Sequence, residues 1–502
     1  MLILFGGAVV LELLVYLFGA WAWLRRGLAV AALTFGGIAA GALLAFWPNL
    51  FSAVIALLSL YRLVNMMRVV QGRMHERYLR WATFRTGLIL LIMQGVIFGG
   101  WWAWSVWHVT GHGVWALLAG VQALVAVVFL VSVRRNLRKT RWPAGTKHYS
   151  DSDLPTVSVL IPARNETQDL QECLQTLVAS DYPKLEIVVL DDCSQLRKTP
   201  EIIKDFAQAG VRFVQGQEPA ETWLPKNQAY DRLAKEASGT YLLFCGADIR
   251  FEHDAIRRIV STMLERHKQM LCVLPTRQAS AYGRFSPIQA MRYWWELVPP
   301  RRMFARPPVI SSCWSITRQA LQKSGGFAAV ARAIVPEAHF ARELLTEDGY
   351  SFLRANGGLG VVSIKQVSDQ RDTAVRMRYP QLHRRPEQVA LLTIFELAFL
   401  LLPFVLVVAG FWVSIGWPAH VLAGLSGVML LVTYHYSVQS THVSASLFGW
   451  LGQPLAAATD IGLVHYSMWR YEFSTIDWRG RNVCIPVMHV VSHLPGMQKE
   501  KT

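Results

Sequence analysis

The feature that most constrains this chain is an α/β pattern enclosed on both sides by apolar sequence. Strand-like runs followed by helical spacing fill the region between residues 150 and 380. Runs long enough to cross a hydrocarbon core of about 30 Å flank it. They cover 2–24, 28–46, 50–66, 86–107, 113–133, 391–413 and 419–438, with an interrupted run at 443–468. The pattern predicts a multi-pass α-helical membrane protein that carries a water-soluble α/β domain.

Composition and charge distribution support a membrane protein. With 53% hydrophobic and 17% charged residues, the 502-residue chain is too apolar for an ordinary soluble protein. Its net charge of +16 is concentrated beside the apolar runs, for example in Arg25-Arg26, Arg134-Arg135 and Arg384-Arg385. By the positive-inside rule, these clusters predict an outside N-terminus and a cytoplasmic α/β region at the inner (plasma) membrane of the cell. Membrane lipids, and not nucleic acid, are the expected partner of this charge.

These patterns predict four parts of the chain. Residues 1–142 form an N-terminal transmembrane block of about five helices, and 150–380 form the α/β domain. Residues 388–470 form a C-terminal block of two spans, with 443–468 as a candidate re-entrant segment because Pro454 and Asp460 interrupt it. A cytoplasmic tail covers 471–502. The six cysteines have no C-x-x-C spacing, so neither a disulfide framework nor a zinc site is indicated.

Strands and helices alternate in the central region. Buried strands are predicted at 156–161, 186–190, 211–214, 240–245 and 270–274, and helices at 168–179, 199–209, 226–237 and 253–266. This order predicts a Rossmann-like, mostly parallel sheet covered on both faces. The segment 284–308, rich in aromatic and basic residues and containing Trp294 and Trp295, is predicted to lie at the membrane interface. A helix packed on the sheet is the alternative for this segment.

Acidic residues follow the predicted strands, where open α/β sheets bind ligands. Asp191-Asp192 can bind a base or ribose, or form an Asx turn that needs only one of them. Asp248 can hold Mg²⁺ or Mn²⁺, or cap a helix. Thr346-Glu347-Asp348 opens a predicted helical stretch, so its acids can complement the helix dipole or supply a general base. Lys226 can meet a diphosphate as a point charge, although an isolated lysine is usually solvated surface.

The order of these motifs carries more information than any one of them. Strand–P-A-R-N-E is followed by strand–D-D-C-S, P-K-N, strand–G-A-D, S-C-W, G-G-F, T-E-D and R-M-R-Y. The series over about 155–380 resembles the glycosyltransferase family 2 enzymes with a GT-A fold, which are inverting and use nucleotide-sugar donors. The tail sequence S-T-I-D-W-R-G-R at 474–481 resembles membrane-bound ceramide glucosyltransferases and carotenoid glucosyltransferases.

The resemblance implies roles for residues of this chain. The donor site would include Pro162, Asn165, Glu166, Asp191, Asp192 and Lys226, with Arg378 and Tyr379 as a clamp. Asp248 would hold the metal, Mg²⁺ or Mn²⁺, and Asp348 would be the catalytic base. Two departures stand out: Gly246 replaces the first acid of D-x-D, and Val375 with Tyr379 replaces parts of Q-x-x-R-W.

The expected function is an inverting transfer of sugar from a nucleotide-sugar donor, foremost a UDP-sugar, to a lipid acceptor at the cytoplasmic leaflet. The product would be a glycolipid or a glycosylated carotenoid-like or ceramide-like compound. On the acceptor side we expect Cys313, Trp314, Trp294, Trp295 and Glu347, although core packing is an alternative for Trp314. Two other functions stay open, a processive polysaccharide synthase and a catalytically silent sugar-nucleotide-binding scaffold. The near absence of charge in the spans counts against the synthase.

Overall fold

The computed structural model describes residues 2–482 except 18–21, 47, 49, 72–85, 96, 98–110, 144, 146, 148, 221, 278–286, 301–306 and 443–450. The chain divides into two compact units that interleave along the sequence. The first unit comprises Met1–Val125, Arg378–Gly427 and Asp460–Ser474. The second comprises Ala126–Met377, Val428–Thr459 and Thr475–Thr502, and it contains the central α/β region.

The described strands and helices follow the chain in a regular alternation through the central region. The strands are β1 (Val157–Ala163), β2 (Leu185–Asp191), β3 (Val211–Gln215), β4 (Tyr241–Cys245), β5 (Ile249–Phe251), β6 (Met270–Leu274), β7 (Thr276–Arg277), β8 (Cys313–Thr317), β9 (Tyr350–Arg354), β10 (Val361–Ser363), β11 (Asp477–Trp478) and β12 (Arg481–Asn482). The helices are α1 (Leu2–Leu17), α2 (Ala22–Phe46), α3 (Leu50–Val70), α4 (Gly111–Lys139), α5 (Gln168–Val178), α6 (Lys198–Asp205), α7 (Pro225–Glu236), α8 (Ala255–Glu265), α9 (Pro287–Leu297), α10 (Arg318–Lys323), α11 (Glu337–Leu345), α12 (Val367–Gln381), α13 (Pro386–Phe395), α14 (Leu402–Ala409), α15 (Trp417–Gln439) and α16 (Gln453–Phe473).

Long apolar helices flank the α/β region, as predicted. Five of the described helices are long and apolar enough to cross a membrane: Trp23–Phe46, Ser52–Val70, Gly113–Lys139, Pro386–Ala409 and Trp417–Gln439. The last part of the predicted run 443–468 lies in α16, while 443–450 lie outside the described residues. The predicted fold class, a multi-pass helical protein with a mostly parallel α/β domain, is therefore confirmed.

The first unit contains charged side chains that form ion pairs. Within the first unit, Arg62 pairs with Glu12 at 2.5 Å, and both side chains are less than 10% exposed. Arg68 pairs with Glu472 at 2.6 Å. Buried charges require such partners because an isolated charge in a low-dielectric interior is very costly. The near absence of charge in the predicted spans was an argument against a processive polysaccharide synthase. These ion pairs weaken that argument.

The central sheet has seven strands in the order β3-β2-β1-β4-β8-β6-β9. Strand β1 pairs in parallel with β2 and with β4, and β6 pairs in parallel with β9. Strand β8 is antiparallel to both of its neighbours. Apolar side chains cover both faces of the sheet, which is why its strands consist of nearly continuous hydrophobic residues.

The segment after Asp348 is a strand, contrary to the predicted helical stretch. Thr346-Glu347-Asp348 follow the end of α11, and β9 begins at Tyr350. In β9, Phe352 and Leu353 are buried, and the strand lies in register with β6. Local spacing could not decide between helix and strand here, since so short a segment fits either until a neighbouring strand supplies hydrogen bonds.

The segment predicted to lie at the membrane interface contains a packed helix in its described part. Helix α9 buries Tyr293, Trp294 and Leu297 completely. The indole of Trp294 meets the ring of Phe129 edge-on at 5.8 Å, and the ring of Tyr434 lies 6.3 Å away. Trp294 is therefore an internal packing residue of the second unit, whereas Trp295 is partly exposed.

Candidate active site

Acidic side chains gather at the edge of the sheet where the parallel strands end. Asp191 and Asp192 end and follow β2, and Asp248 comes three residues after β4. Helix α11 ends shortly before the start of β9, at the opposite edge of the sheet, and therefore begins near the edge where the acids lie. Its first residue, Glu337, therefore lies on the side where β9 ends. The charges of Glu337 and Asp248 both act on Tyr230, whose pKa is raised first by burial and then by these acids.

Asp248 is the best-defined of these acids. Its Oδ2 accepts a hydrogen bond of 2.7 Å from the hydroxyl of Ser363, which lies in β10. Burial opposes ionisation, but the charges of Lys365 and Arg277 and the Ser363 hydroxyl outweigh it, so the pKa of Asp248 lies below its ordinary value. Asp248 is thus held as a carboxylate at a fixed position near neutral pH.

Glycine at position 246, where the first acid of D-x-D is usual, leaves space for the carboxylate of Asp248. A Cβ at this position would lie 2.6 Å from Oδ1 of Asp248, so a side chain here would displace that carboxylate. Among the described residues, no group of three His, Cys, Asp or Glu side chains is placed to hold a metal ion. A single ionised carboxylate still fits Mg²⁺ or Mn²⁺ if phosphate oxygens and waters supply the other ligands.

Lys226 and Glu337 form a partly buried ion pair at the edge where the parallel strands end. Lys226 lies in the first turn of α7, after Pro225, and its Nζ is 3.1 Å from Oε1 of Glu337. The Glu337 side chain has no exposed surface, and the Lys226 side chain is 26% exposed. The second oxygen of Glu337, Oε2, is buried and has no hydrogen-bond partner among the described residues. A buried carboxylate oxygen without a partner is a position where an incoming O–H group can bind.

Several further cations surround this pair of acids. Burial lowers the pKa of Lys226, and Arg376 and Arg292 lower it further, although Glu337 opposes them. Burial also lowers the pKa of Lys365 to about 8, with Arg292, Arg376 and Arg277 adding to the effect against Asp248. Two acids thus share the site with five cations: Lys226, Lys365, Arg277, Arg292 and Arg376. An excess of positive charge in a partly buried site favours an anion such as a diphosphate.

The predicted nucleoside residues lie together at the ends of β1 and β2. Pro162 is paired with Leu190 in the sheet register, next to Ala163 and Asp191. Oδ1 of Asp191 accepts a hydrogen bond of 3.3 Å from the backbone N–H of Ser194, three residues further along the chain. Asp192 is buried and has Arg481 as its partner at 2.8 Å.

Asn165 and Glu166 complete this group. Asn165 has a φ of 51°, which asparagine tolerates better than most residues, and its Oδ1 accepts from the N–H of Gln195 at 2.8 Å. Burial raises the pKa of Glu166 to about 7; Arg479 opposes this, and Asp169, Asp248 and Asp369 add to it. Glu166 therefore changes its charge near neutral pH.

Part of the chain is similar to known proteins. Residues 158–325 match the family model described as glycosyl transferase family 2. This segment is therefore similar to glycosyl transferase family 2 domains. The resemblance predicted from the motif order is thereby confirmed for this domain, and with it glycosyltransferase as the class of enzyme to which the domain belongs.

Individual relatives match only part of the chain. Glycosyltransferase AglE of Haloferax volcanii is 32% identical over 116 residues, which are 22% of this chain and 36% of that protein. The 4,4'-diaponeurosporenoate glycosyltransferase of Staphylococcus haemolyticus is 30% identical over 122 residues, 24% of this chain and 32% of that protein. The chain thus spans about a third of the length of these relatives. A solved structure, the mannosyltransferase PcManGT from Pyrobaculum calidifontis in complex with GDP-Man and Mn2+, is 18% identical with a TM-score of 0.45, covering 70% of this chain and 98% of that one.

Asp348 does not lie at the carboxyl edge of the family 2 domain. It precedes β9, and the carbonyl of the adjacent Gly349 accepts from the N–H of Met270 at the start of β6. Asp248 lies beyond the opposite end of these strands, and a five-residue strand separates the two edges by about 13 Å. A general base must be within hydrogen-bond reach of the proton it removes. Asp348 is therefore not the base of a site built on Asp248, and this prediction was wrong.

We expect the Asp348→Asn variant to keep its activity. The Asp348 side chain is 94% exposed and pairs at 2.9 Å with Lys268. Exposed ion pairs contribute about 0–1 kcal/mol, so turnover should stay within about threefold of the unsubstituted protein. Release of nucleoside diphosphate from the donor measures this directly. A loss of about 10²-fold would return the role of base to Asp348.

Three of the predicted acceptor-side residues do not face a cleft. Cys313 and Trp314 belong to β8 and are completely buried in the core of the sheet. The indole of Trp314 stacks on Phe244 with ring centroids 4.4 Å apart, so core packing is its role. Glu347 lies at the same edge as Asp348 and pairs with Lys323 at 2.6 Å. The assignments of Cys313 and Trp314 were wrong because the sequence did not reveal β8 as a central strand, and that of Glu347 because it lies at the other edge of the sheet.

Arg378 and Tyr379 belong to the first compact unit and have partners there. Arg378 pairs with Asp460, and the Tyr379 side chain is completely buried. The Tyr379 hydroxyl donates to Glu472 at 2.8 Å and accepts from Arg68 at 2.8 Å. Their function as a donor clamp stays a prediction.

Sequence reasoning missed the residues that complete the family 2 site. Glu337 is the principal one, and a proline followed by an acid at the start of an amphipathic stretch was an available signal for a helix N-terminus. Lys365 and Ser363 follow and end the short strand β10, which has no strong pattern of its own. Arg479 and Arg481 of the tail were not assigned to the site from the sequence.

Proposed function

We propose that this protein is an inverting membrane glycosyltransferase that moves a sugar from a nucleotide-sugar donor to the hydroxyl group of a lipid acceptor. The observation that carries the proposal is the cluster of five cations around Asp248 and Glu337 at the carboxyl edge of the family 2 domain. This charge suits a leaving nucleoside diphosphate, and the unpartnered Oε2 of Glu337 suits the attacking hydroxyl.

The reaction is a single displacement at the anomeric carbon. The acceptor oxygen forms a bond to this carbon, and the bond from the carbon to the diphosphate oxygen breaks with its electron pair leaving on the diphosphate. Glu337, in place of Asp348, takes the proton of the acceptor hydroxyl. Lys226 and Lys365 stabilise the charge that develops on the diphosphate, and preorganised charge of this kind is often the largest contribution to catalysis.

A divalent cation would add to this stabilisation. Asp248, held by Ser363, is the residue that would bind Mg²⁺ or Mn²⁺ together with the donor phosphates. When bound, the cation would supply positive charge to the leaving diphosphate.

Removal of divalent metal is expected to lower turnover at least about 10-fold, reversibly. One carboxylate binds Mg²⁺ or Mn²⁺ weakly, so EDTA should strip the metal, and either ion added in excess should restore the rate. Binding of Mn²⁺ measured by electron paramagnetic resonance should be weak without nucleoside diphosphate and strengthen when it is added. Unchanged turnover in EDTA would show that the buried cations suffice alone.

The membrane setting supports a lipid acceptor. Apolar helices long enough to span a bilayer precede and follow the domain. Arginine-rich segments beside them, such as the end of α4 with Arg138 and Lys139, favour a cytoplasmic face for the domain by the positive-inside rule. We propose that the acceptor is a lipid alcohol at the inner leaflet.

The test uses the full chain in nanodiscs made from total lipid of the producing cells. Mg²⁺ or Mn²⁺ and a panel of UDP-, GDP- and TDP-sugars are added, and release of nucleoside diphosphate is followed. Mass spectrometry of the extracted lipids should then show a mass gain of one sugar residue. The Asp248→Asn variant is the control. Release of sugar to water only, or no release with any donor, would overturn the proposal; a ladder of added sugars would indicate a polymerising enzyme.

A further inference from the structure

A short hairpin near the C-terminus lies against the loops that end β1 and β2. Strands β11 and β12 pair in an antiparallel fashion, with Trp478 opposite Arg481. The two residues between them, Arg479 and Gly480, have φ values of 51° and 78°, the geometry of a type I′ turn. The positive φ of Gly480 favours glycine, and a Cβ there would lie 2.9 Å from Oε1 of Gln195, so that side chain would have to move.

The tip of the hairpin is bonded to the end of β1. The carbonyl of Arg479 accepts hydrogen bonds from Nδ2 of Asn165 at 2.8 Å and from Nε of Arg164 at 3.1 Å. Arg164 also donates to the carbonyls of Asp192 at 2.6 Å and Cys193 at 2.7 Å. The loops after β1 and β2 and the hairpin therefore form one hydrogen-bonded assembly.

The hairpin arginines also pair with the acids of these loops. Nη1 of Arg481 lies 2.8 Å from Oδ2 of Asp192, and the two side chains are only 10% and 8% exposed. Nη2 of the same arginine lies 3.0 Å from the exposed Glu218. Arg479 approaches Glu166 at 3.3 Å. Two of these acids, Asp192 and Glu166, are among the residues expected to meet the nucleoside.

A buried ion pair of this kind contributes little net stability, because desolvation of both charges offsets their attraction. The ion pair with Arg481 instead fixes the position of the Asp192 carboxylate. Burial raises the pKa of Asp192, and Arg481 opposes this. Without Arg481, a carboxylate in this place would be less ionised and free to rotate.

We propose that the hairpin of residues 477–482 forms a wall of the nucleoside-binding part of the donor site, with Arg481 as the positioning residue that orients Asp192 toward the nucleoside. This inference rests on the proposed function. It makes donor affinity dependent on a tail segment almost 300 residues away from the loops that it organises, and it gives Arg481 no part in the displacement itself.

The Arg481→Gln variant tests the proposal. We expect the donor KM and the Kd for free nucleoside diphosphate to rise about 30-fold, since a buried carboxylate loses its charged partner. The kcat should change less than about threefold, because the reacting atoms are untouched. Arg481→Lys should recover part of the affinity by restoring the charge. Glu218→Gln, which removes only the exposed partner, is the matched control and should bind normally.

Isothermal titration with UDP and GDP measures binding independently of turnover, and the melting temperature checks the fold of each variant. Equal Kd values for the Arg481→Gln and unsubstituted proteins would overturn the positioning role while leaving the proposed function intact. Tighter binding by the variant would mean that the hairpin blocks the site, which also overturns it. If the unsubstituted protein neither binds a nucleotide nor releases one from a sugar donor, the proposed function fails as well.

Discussion

The Asp248→Asn variant is expected to release nucleoside diphosphate about 10²-fold more slowly than the unsubstituted protein. Asparagine has the same shape, and its amide oxygen can still accept the hydrogen bond of 2.7 Å from Ser363. The substitution removes the negative charge alone. A divalent cation then loses the carboxylate proposed to hold it, and Lys365 and Arg277 lose a nearby negative charge. Single-turnover release of labelled diphosphate at saturating donor measures the effect.

Ser363→Ala is the matched control for this prediction. It removes the hydrogen bond to Asp248 and keeps the charge, so a loss below about 10-fold is expected. Thermal unfolding of both variants in the same detergent shows whether the domain stays folded, since Asp248→Asn leaves the buried Lys365 without its counter-charge. A folded Asp248→Asn protein with turnover within twofold of the unsubstituted protein would contradict the role of Asp248.

The Glu337→Gln variant is expected to lose at least about 10²-fold in kcat. In the unsubstituted protein, Nζ of Lys226 lies 3.1 Å from Oε1 of Glu337. Glutamine has the same length and can still accept a hydrogen bond from Lys226. It can no longer take the acceptor proton. Donor affinity should be unchanged or higher, because Lys226 without its acid partner attracts the diphosphate more strongly. The measurements are kcat and the Kd for nucleoside diphosphate.

The Lys226→Met variant distinguishes the role of Lys226 from that of Glu337. It should raise the Kd for nucleoside diphosphate, because the diphosphate loses a point charge, whereas Glu337→Gln should not. Glu347→Gln is a second control, since Glu347 is a neighbouring acid at the other edge of the sheet and 46% exposed. If Glu337→Gln and Lys226→Met impair only donor binding, and by equal factors, Glu337 positions Lys226 and is not the base.

The sequence predicted Asp348 as the general base, whereas the structure favours Glu337. This difference shows what could not be predicted from the sequence. Both acids belong to α11 and its flanks, eleven positions apart in sequence. The motif order directed attention to Thr346-Glu347-Asp348, which follow the helix. Only the direction in which α11 crosses the sheet determines which of its ends meets Asp248, and this direction follows from the pairing of β9 with β6.

Trp314 is a second case of this kind. Its sequence neighbours predicted a strand-like run, and its size and polar N–H suggested either a binding wall or the core. The insertion of β8 between β4 and β6, antiparallel to both, places Trp314 against Phe244 and Phe340 and buries it fully. An antiparallel strand in a parallel sheet is a long-range pairing that short-range spacing does not encode.

The amino-acid sequence by itself determined β1 to β4, β6 and the helices between them, the apolar blocks around the α/β region, and the acids that follow β2 and β4. These features depend on local periodicity and on residues adjacent to a strand end, and both are readable within a short window. The tertiary structure alone decided which acids share an edge of the sheet, that Lys226 meets Glu337, and that Arg481 of the tail meets Asp192. These pairs join residues more than 100 positions apart, and their contacts arise from the packing of whole elements, on which the spacing of side chains along the chain carries no information.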